Sequence, residues 1–548
     1  MTVFRVAFRA GRGSDVTVKS SMQPAWLLRN LLSLAVCAGG AATIFAVTPA
    51  QPSKEPGVSA LVSEVAPGQL RYQPYTEAGD TLPDFSHCGY GGGGVALPEV
   101  VVRERLQPQA GKGDDTARIQ AALDRVAQLP LDAQGFRGAV LLERGAYRCA
   151  GVLRINASGV VLRGEGFGPD GTVITATAKK AQPLVQLGGT AGPRAIPRTQ
   201  TEITSTYVPV GARSFSVANA TNLAVGQTVF VVRRGNAAWI TEIGMDRITP
   251  RPDDPKSTRQ WTPFDLKFDR VIVAIEGNAI TIDAPLACAI DARWGGGALV
   301  RVNDEQRIEK CGVESFSAIS VFDRSLTATH QNEQVYTDED HATYLIEFGA
   351  VKHAWARSLT TLAFAHGIAL VTGEAKWITI VECAALDPVS QITGGRRYPF
   401  YLNGQLTLVQ RCFARRARHA FVFGSRVAGP NVFLESRSER DYGSSEPHHR
   451  WSVGGLYDNV EAPLAIQDRQ WMGSGHGWAG ANYVVWNGTG SLICQQPPTA
   501  QNFSIGFVGK KEKGSFARAA GWWESEGKPV TPRSLYRAQL AARLAQQN

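Results

Sequence analysis

The sequence predicts an all-β protein built as a parallel β-helix, with a helix covering its start. Short apolar runs recur in pairs between Tyr344 and Gly506, and a short amphipathic pattern precedes the first runs of the chain. The 57 glycines and the low charged content of 19% are typical of a folded, turn-rich β protein. Repeats in which each unit packs its apolar side chains on the next one are typical of stacked solenoids.

The N-terminal residues have the pattern of an export leader. Basic residues precede an apolar run over residues 31–47, and small residues follow as far as Ala50. We expect cleavage after Ala50, so that residues 1–50 are removed and the protein reaches the periplasm or the exterior. Met22 is an alternative start, and an uncleaved anchor is the alternative fate of the apolar run.

The next two segments lead into the solenoid. Residues 51–108 are aperiodic and predict a linker and an irregular segment. Residues 109–195 predict the first coils, beginning with a helix capped by Asp115 or Thr116. The residues of its apolar face are Ile119, Leu123 and Val126. Such a helix covers strand edges that the open end of a solenoid would expose.

These first coils resemble a known superfamily. The runs GDDTARIQAALD (113–124), GAVLLERGAY (138–147) and GVVLRGEG (159–166) are similar to the entry segment of the pectate-lyase-like superfamily. With the later rhythm, the resemblance covers roughly residues 110–190 and 305–510. It implies a right-handed parallel β-helix, a fold that hosts lyases, hydrolases, epimerases and phage adhesins.

Changes in the sequence pattern predict the bounds of the remaining segments. Residues 196–303 alternate in polarity with hairpin turns and predict an inserted small β domain. Its middle would either form a wall beside the main groove or serve as structural padding. Residues 304–515 predict the main β-helix with the active-site groove. Residues 516–548 predict a tail and a helix that clasps the far end, with Leu535, Leu540 and Leu544 on one face.

The cysteines carry no metal-binding pattern. Seven lie beyond the leader, without any CxxC pair or zinc-like spacing. We expect them to act as small apolar residues inside the solenoid, and a disulfide is the alternative.

The rhythm of the main β-helix also locates a candidate site. The first runs of successive pairs, taken at Ile346, Ile368, Phe400, Phe421 and Gly455, are 22, 32, 21 and 34 residues apart. The longer intervals contain the basic sequences GGRRY (394–398) and EPHHRW (446–451), which we interpret as loops inserted at the same turn. Because loops at one turn of successive coils lie side by side, both are expected to border one groove.

The net charge of +9 favours an anionic partner. The chain has no basic heptad region and no RNP-like motif, so the prediction is an acidic polysaccharide and no nucleic acid. No membrane contact is predicted beyond the anchor. The charge is concentrated near the two basic sequences and the coil between them.

Such a cluster suits β-elimination on a uronate-containing polysaccharide. Arginines offset the carboxylate charge and acidify the C5 proton, a neutral base removes that proton, and a second group protonates the leaving oxygen. We expect Arg397 and Arg450 to bind the carboxylate, His448 or His419 to be the base, and Tyr398 to be the proton donor. The predicted substrate-binding residues are Arg396, Arg416, Arg418, His449, Trp451, His476 and Trp478.

Several alternatives remain open at this stage. A glycoside hydrolase would use Asp458 and Asp468 near Gly475-His476-Gly477. A C5-epimerase shares the proton abstraction, and a glycan-binding or envelope protein needs no chemistry. No cofactor is firmly predicted, and Ca²⁺ is the alternative way to offset the carboxylate. Its candidate ligands are Asp338, Glu339, Asp340, Glu435, Glu439 and Asp441.

Overall fold

The computed structural model describes residues 57–109, 111, 113–168 and 170–546. The predicted leader with its cleavage position and the alternative start at Met22 lie outside these residues. The described residues all belong to one compact unit. Within that part of the chain, no helix combines the length and the apolar character that crossing a membrane would require.

The main body is a parallel β-helix, which confirms the predicted fold class. Its coils pair in parallel, so that Phe400 is in register with Ala369 on one side and with Phe421 on the other. The Phe400 and Phe421 rings stack inside the coil with centroids 5.6 Å apart. This internal stacking of apolar side chains is the reason for the rhythm in the sequence.

Two parallel sheets form the walls of the helix. The seven-stranded sheet consists of Leu153–Ile155, Val185–Leu187, Tyr344–Phe348, Gly367–Val371, Phe400–Leu402, Phe421–Ser425 and Glu446–His449. The large sheet consists of Val102–Leu106, Gly138–Leu142, Gly145–Cys149, Val160–Gly164, Thr172–Ala176, Ile308–Glu309, Gly312–Ser320, Val351–Leu362, Lys376–Val381, Ala384–Leu386, Leu408–Gln410, Phe413–Arg415, Ala428–Leu434, Arg437–Glu439, Ser452–Asp458, Glu461–Ile466, Gly480–Ala481, Val484–Trp486, Thr489–Cys494, Phe503–Ile505, Val508–Lys511 and Trp522–Glu524.

The predicted capping helix is Thr116–Ala127. Its buried face includes Ile119, Leu123 and Val126, as the periodicity predicted. At its start, the Thr116 amide donates to the Asp114 carboxylate at 3.0 Å. The helix therefore packs its apolar face on the first coils and covers their core.

An inserted β domain interrupts the solenoid, as the change in pattern predicted. Its long strands Thr228–Arg233 and Leu266–Glu276 pair antiparallel. The buried Arg270 anchors the domain, since its guanidinium donates to the carbonyl of Gly429 in the solenoid at 2.7 Å. The other strands are Arg194–Ala195, Thr201–Glu202, Tyr207–Val208, Ser214–Ser216, Ala279–Ile282, Ile290–Asp291 and Gly297–Asn303, and the helices are Ala237–Glu242, Pro255–Ser257 and Ala292–Trp294.

The segment predicted as a linker instead packs closely on the solenoid. Its strands are Gly57–Val58, Val62–Ala66 and Gln69–Tyr72, and short helices follow at Phe85–His87 and Tyr90–Gly92. Buried side chains such as Leu61, Leu82 and Phe85 share one apolar cluster with solenoid residues. Isolated apolar residues without a period gave no sign of this burial in the sequence.

The C-terminal helix is Leu535–Ala545, and two features differ from the sequence prediction. Its buried face is Leu535, Tyr536, Gln539 and Ala542, whereas Leu544 is exposed. The helix binds the N-terminal segment, because Gln539 accepts from the Phe85 amide at 2.9 Å and Arg543 donates to the Gly93 carbonyl at 2.9 Å. It therefore clasps that segment against the side of the solenoid.

The seven described cysteines are buried free thiols, as the scattered spacing favoured. Burial raises the pKa of Cys311 and of Cys494 to about 12. These thiols are therefore protonated and inert at neutral pH.

The register corrects one step of the predicted rhythm. Gly455 belongs to the large sheet, where it pairs with Asn431, and it does not continue the series of Phe400 and Phe421. The next member of that series is the strand Glu446–His449, and Glu446 lies 24 residues after its partner Val422. The sequence EPHHRW therefore begins as a strand of the solenoid wall and is not an inserted loop.

Candidate active site

Three successive strands of the seven-stranded sheet bring the candidate residues together. Tyr398 precedes the strand Phe400–Leu402, and His419 precedes the next strand, Phe421–Ser425. In the third strand, Pro447 is in register with the inward-facing Phe423. Because successive strand residues point to opposite faces, Glu446 and His448 point outward.

Tyr398 and His448 form the centre of the site. The Tyr398 hydroxyl lies 2.7 Å from His448 Nε2, and it accepts a hydrogen bond from Arg418 Nη1 at 2.9 Å. It also lies 3.0 Å from the carbonyl oxygen of Gly394. A phenol, a neutral imidazole and a guanidinium are therefore held in direct contact, which is the set of groups that proton transfer beside an anion needs.

A buried carboxylate lies beneath this pair. Glu446 Oε1 is 2.7 Å from Arg469 Nη1, 3.4 Å from His419 Nε2 and 3.9 Å from His448 Nε2. Arg469 also donates to the carbonyl of His448 at 2.7 Å. The Nδ1 atom of His419 is hydrogen-bonded to the Ser444 carbonyl, which fixes the ring orientation. These contacts hold the His448 backbone and ring in place.

Two further histidines extend the cluster toward the inserted domain. His448 Nδ1 and His449 Nδ1 share a hydrogen bond of 2.9 Å. His449 stacks on His476 with ring centroids 4.8 Å apart, and both side chains are half-buried. This contact brings His476, one of the predicted substrate-binding residues, against the EPHHRW sequence.

Burial and the nearby arginines keep the cluster histidines neutral. Burial first, then Arg469, holds the pKa of His448 well below its usual range, and burial with Arg418 does the same for His419. Burial and Arg450 lower the pKa of His449 to about 4. A neutral imidazole can accept a proton at neutral pH, so the electrostatics provide a base.

Burial has the opposite effect on the acidic groups. It raises the pKa of Tyr398 above its usual range, although Arg418 acts in the other direction. It also raises the pKa of Glu446 to about 7, against the opposing effect of Arg469. The Tyr398 hydroxyl therefore keeps its proton through the neutral range and can donate it.

His419, Glu446 and His448 also lie close enough together to hold a metal ion. Their ligand atoms lie within 4.8 Å of one another. However, Glu446 Oε1 is already bonded to Arg469, and His448 Nε2 is bonded to the Tyr398 hydroxyl. With a cation at the carboxylate and a hydroxyl at the imidazole, the cluster fits a proton-transfer network better than a metal centre.

Three of the predicted site residues are buried in contacts within the fold and are not available to a ligand. Arg397 is 2% exposed and donates to the backbone carbonyls of Ser390 and Tyr336, so its side chain does not reach a groove. Trp451 and Trp478 are buried against the inserted domain and offer no ring face to a sugar. Both rings, predicted to bind substrate, instead pack between the inserted domain and the solenoid.

Two other predicted arginines are paired with carboxylates. Arg396 binds Glu339 through two nitrogens, and Arg416 binds Glu333. Both carboxylates lie in the segment between the strands Gly312–Ser320 and Tyr344–Phe348, which reaches across to this side of the solenoid. These pairs reduce the positive charge that the sequence suggested for the site.

The candidate calcium ligands do not converge. Glu339 is bound to Arg396 and Glu435 to Arg537, while Asp338 accepts from the backbone amides of Asp323 and Asp340. Asp441 is hydrogen-bonded to Ser438. Four of the six candidates are thus each committed to a different partner, whereas a calcium site needs six or more oxygen ligands around one point.

The aspartates proposed for hydrolysis are also committed to structural contacts. Asp458 is fully buried and accepts from Ser534 Oγ at 2.7 Å and the Tyr536 amide at 2.8 Å, which fixes the start of the C-terminal helix. Asp468 is fully buried and accepts from Arg518 at 2.8 Å. Neither carboxylate is placed to flank a glycosidic bond.

Sequence reasoning missed Glu446 and Arg469 as members of the site. Glu446 stands beside the histidines in EPHHRW, so its alternation with His448 along a strand would have been a usable signal. The wrong interpretation of this sequence as a loop removed that signal. Arg469 lies on a later coil, and nothing in its local sequence indicates its contact with Glu446.

We expect acid to destabilise the protein between about pH 6.5 and pH 4. Seven described histidines have lowered pKa values in the folded state, among them His353 at about 3, His366 at about 4 and His476 at about 2. The unfolded chain binds protons there while the folded chain does not, so stability is lost as the pH falls.

Three carboxyl groups, Asp441, Glu446 and Asp458, oppose this because burial raises each pKa to about 7. They are outnumbered by the histidines. Thermal unfolding followed by circular dichroism at several pH values will measure the balance, and we expect Tm to fall on acidification. A Tm that is unchanged or higher at the acidic end contradicts the assignment of buried neutral histidines.

No protein-family model matches the chain, and no curated protein matches it by sequence. Among solved structures, the chain is similar to the tailspike gp61 of Pseudomonas phage phi297, with 13% identity and a TM-score of 0.37 over 76% of this chain and 61% of that chain. For ORF18 of Geobacillus virus E2 the values are 10%, 0.38, 76% and 57%. For the tailspike of E. coli bacteriophage HK620 they are 11%, 0.34, 86% and 64%. The chain thus spans less than two thirds of the length of each of these phage proteins.

Proposed function

We propose that this protein is a polysaccharide lyase that cleaves a uronate-containing polysaccharide by β-elimination. The observation that carries the proposal is the contact of the Tyr398 hydroxyl with both His448 Nε2 and Arg418 Nη1. Elimination needs a base, a proton donor and a group that offsets a carboxylate, and these three side chains supply them.

In the proposed reaction, His448 is the base and Tyr398 is the proton donor. The Tyr398 hydroxyl turns from His448 Nε2 toward the leaving oxygen, which frees the Nε2 lone pair to take the C5 proton. The electrons of the C5–H bond form a double bond between C4 and C5. The C4–O bond breaks with its electron pair on the leaving oxygen, and Tyr398 gives that oxygen its proton. His448 then returns a proton to the Tyr398 oxygen, for which the 2.7 Å contact is a direct path. The cycle therefore restores both side chains without a co-reactant.

Arg418 is the carboxylate-binding residue in this proposal. It is half-buried at the rim above Tyr398, and only its Nη1 atom is used in bonds to Tyr398 and Gly394. A guanidinium carries five N–H donors, so the rest of the fork is available for two bonds to a carboxylate. Glu446 acts as a positioning residue because it binds Arg469, which donates to the His448 carbonyl. His419 does so because its ring packs edge-on against the His448 ring.

Access to the site requires a local movement. Tyr398 is only 2% exposed, and the Gly394 carbonyl with the Arg418 side chain covers its hydroxyl. Gly394 and Gly395 are exposed, and the added Cβ of Gly395 would meet no atom within 4 Å. We propose that this loop opens to admit a sugar, which replaces the contacts of Arg418 with Gly394.

The test is turnover of defined uronate polymers by the purified protein. Alginate, pectate, glucuronan and glycosaminoglycans are incubated with it, each with and without a chelator. We expect ultraviolet absorbance from unsaturated uronate ends on at least one polymer. We also expect the chelator to leave the rate unchanged, because arginine supplies the positive charge and the candidate calcium ligands do not converge.

Each other outcome replaces the proposal with a specific alternative. New reducing ends without the absorbance would show hydrolysis, and a changed C5 configuration without chain cleavage would show an epimerase. Binding of polymers that keep their full length would show a glycan-binding protein. Loss of turnover in the chelator would show that a metal, and not Arg418 alone, offsets the carboxylate.

A further inference from the structure

Two arginines occupy the same turn on successive coils, beside the candidate active site. Ser425 is in register with His449, and the next residue of each coil is an arginine, Arg426 and Arg450. The Arg426 amide donates to the Arg450 carbonyl at 3.2 Å, which joins the two turns directly. Neighbouring strands lie about 4.8 Å apart, so the fold places two like charges side by side.

The next coil and the inserted domain complete this surface. The Arg450 amide donates to the His476 carbonyl at 3.1 Å, and Arg450 Nη2 donates to Ser474 Oγ at 2.9 Å. The Arg259 amide of the inserted domain donates to the Ser474 carbonyl at 3.2 Å. Ser474 therefore lies between Arg259 and Arg450, and it ties the domain to the arginine column.

The side chains of Arg426 and Arg450 are held in place, and none of the three arginines is neutralised. The Arg426 guanidinium lies 4.1 Å above the ring of Phe264, which holds it in place. In the described part of the chain, no carboxylate lies within salt-bridge distance of Arg259, Arg426 or Arg450, and the buried Nε atom of Arg450 has no acceptor. Like charges held together without a carboxylate are destabilising unless an anion binds between them.

The pKa shifts agree with this proximity. Burial lowers the pKa of Arg426 and Arg450, and Arg450 lowers the pKa of Arg426 further. Arg259 has the same effect on the pKa of Arg450. Arg450 is therefore close enough to Arg426 and to Arg259 for their charges to repel in the folded state.

We propose that Arg259, Arg426 and Arg450 form a second anion subsite, which binds a carboxylate or a sulfate ester on a sugar next to the one at Tyr398. The path of the glycan from Tyr398 to this subsite rests on the proposed function, whereas the binding of an anion by the three arginines does not. The column from Arg426 through Arg450 to His476 runs across the coils, and His476 stacks on His449 of the active-site cluster. A glycan chain would therefore span both sites.

The test measures binding separately from turnover. Oligosaccharides whose only charged groups are carboxylates, and uronate-free oligosaccharides whose only charged groups are sulfate esters, are titrated into the Tyr398→Phe variant by calorimetry. Arg426→Gln and Arg259→Gln are then introduced singly. We expect each to weaken binding of at least one oligosaccharide class by about tenfold, the effect of losing one charge-assisted hydrogen bond. The preferred class identifies the anion.

The matched control is Arg251→Gln, an arginine of the same domain that is paired with Asp253. It should leave the affinity unchanged. On an otherwise native background, the two test variants should raise KM and leave kcat unchanged. Equal affinity in the test and control variants for both oligosaccharide classes would overturn the subsite. If no polymer is cleaved but Arg426→Gln still weakens binding, the subsite stands and the lyase proposal fails.

Discussion

Replacing Tyr398 with phenylalanine is expected to lower kcat by about 10²- to 10⁴-fold, the usual contribution of a general acid or base. The substitution removes only the hydroxyl oxygen, which is the atom in contact with His448 and Arg418. The leaving oxygen then has no proton donor, and His448 loses its path for returning the proton. Initial rates of unsaturated-uronate formation on the preferred polymer will measure the loss.

The matched control for this prediction is Tyr401→Phe. Tyr401 lies on the same side of the solenoid, with its ring centroid 5.4 Å from that of Tyr398, but it does not contact His448. We expect it to keep most of the activity. Circular dichroism and Tm must show that both variants fold, since the buried partners of Tyr398 lose a hydrogen bond worth about 1–3 kcal/mol. A folded Tyr398→Phe variant with nearly native kcat would remove Tyr398 from the mechanism.

Replacing Arg270 with methionine is expected to lower the free energy of unfolding by about 3 kcal/mol or more. Arg270 is 0% exposed, and its guanidinium donates to four backbone carbonyls and to the side-chain oxygen of Gln405. The four carbonyls belong to Asp269, Ala284, Pro285 and Gly429. Methionine fills part of the space but leaves these buried acceptors without donors.

Urea unfolding followed by tryptophan fluorescence will measure this loss. Arg213→Met is the matched control in the same domain, because Arg213 is only half-buried and donates one bond, to the Ile282 carbonyl at 3.0 Å. We expect it to cost about 1 kcal/mol, the net value of a single hydrogen bond. If both variants unfold at the same urea concentration as the native chain, Arg270 does not join the inserted domain to the solenoid.

The candidate site shows where sequence reasoning succeeds and where it stops. The clustering of Tyr398, His419 and His448 was predictable, because their position within the repeat places them on neighbouring coils. Whether each side chain is free to reach a ligand was not predictable from the sequence. Arg397 stands next to Tyr398 in the sequence, but its left-handed backbone, with φ of 54°, and its bonds to buried carbonyls turn it away from the groove.

The ion pairs between distant parts of the chain could not be predicted from the sequence either. Glu333 and Glu339 neutralise Arg416 and Arg396 across 83 and 57 residues of chain, and Arg469 reaches Glu446 across 23. Such pairs have no period and no fixed spacing. The register of Glu446–His449 was lost as well, because Pro447 and the two histidines do not resemble the apolar strands of the neighbouring coils.

The sequence by itself determined the parallel β-helix, its capping helix, the inserted domain and the side of the solenoid on which basic residues gather. These features depend on local periodicity, since each coil repeats the apolar pattern of the coil on which it packs. Only the tertiary structure decided which charges are paired, which rings are buried and which hydroxyl meets which imidazole. Those contacts depend on distances between residues far apart in the chain, and these distances are fixed only when the coils stack and the inserted domain packs against them.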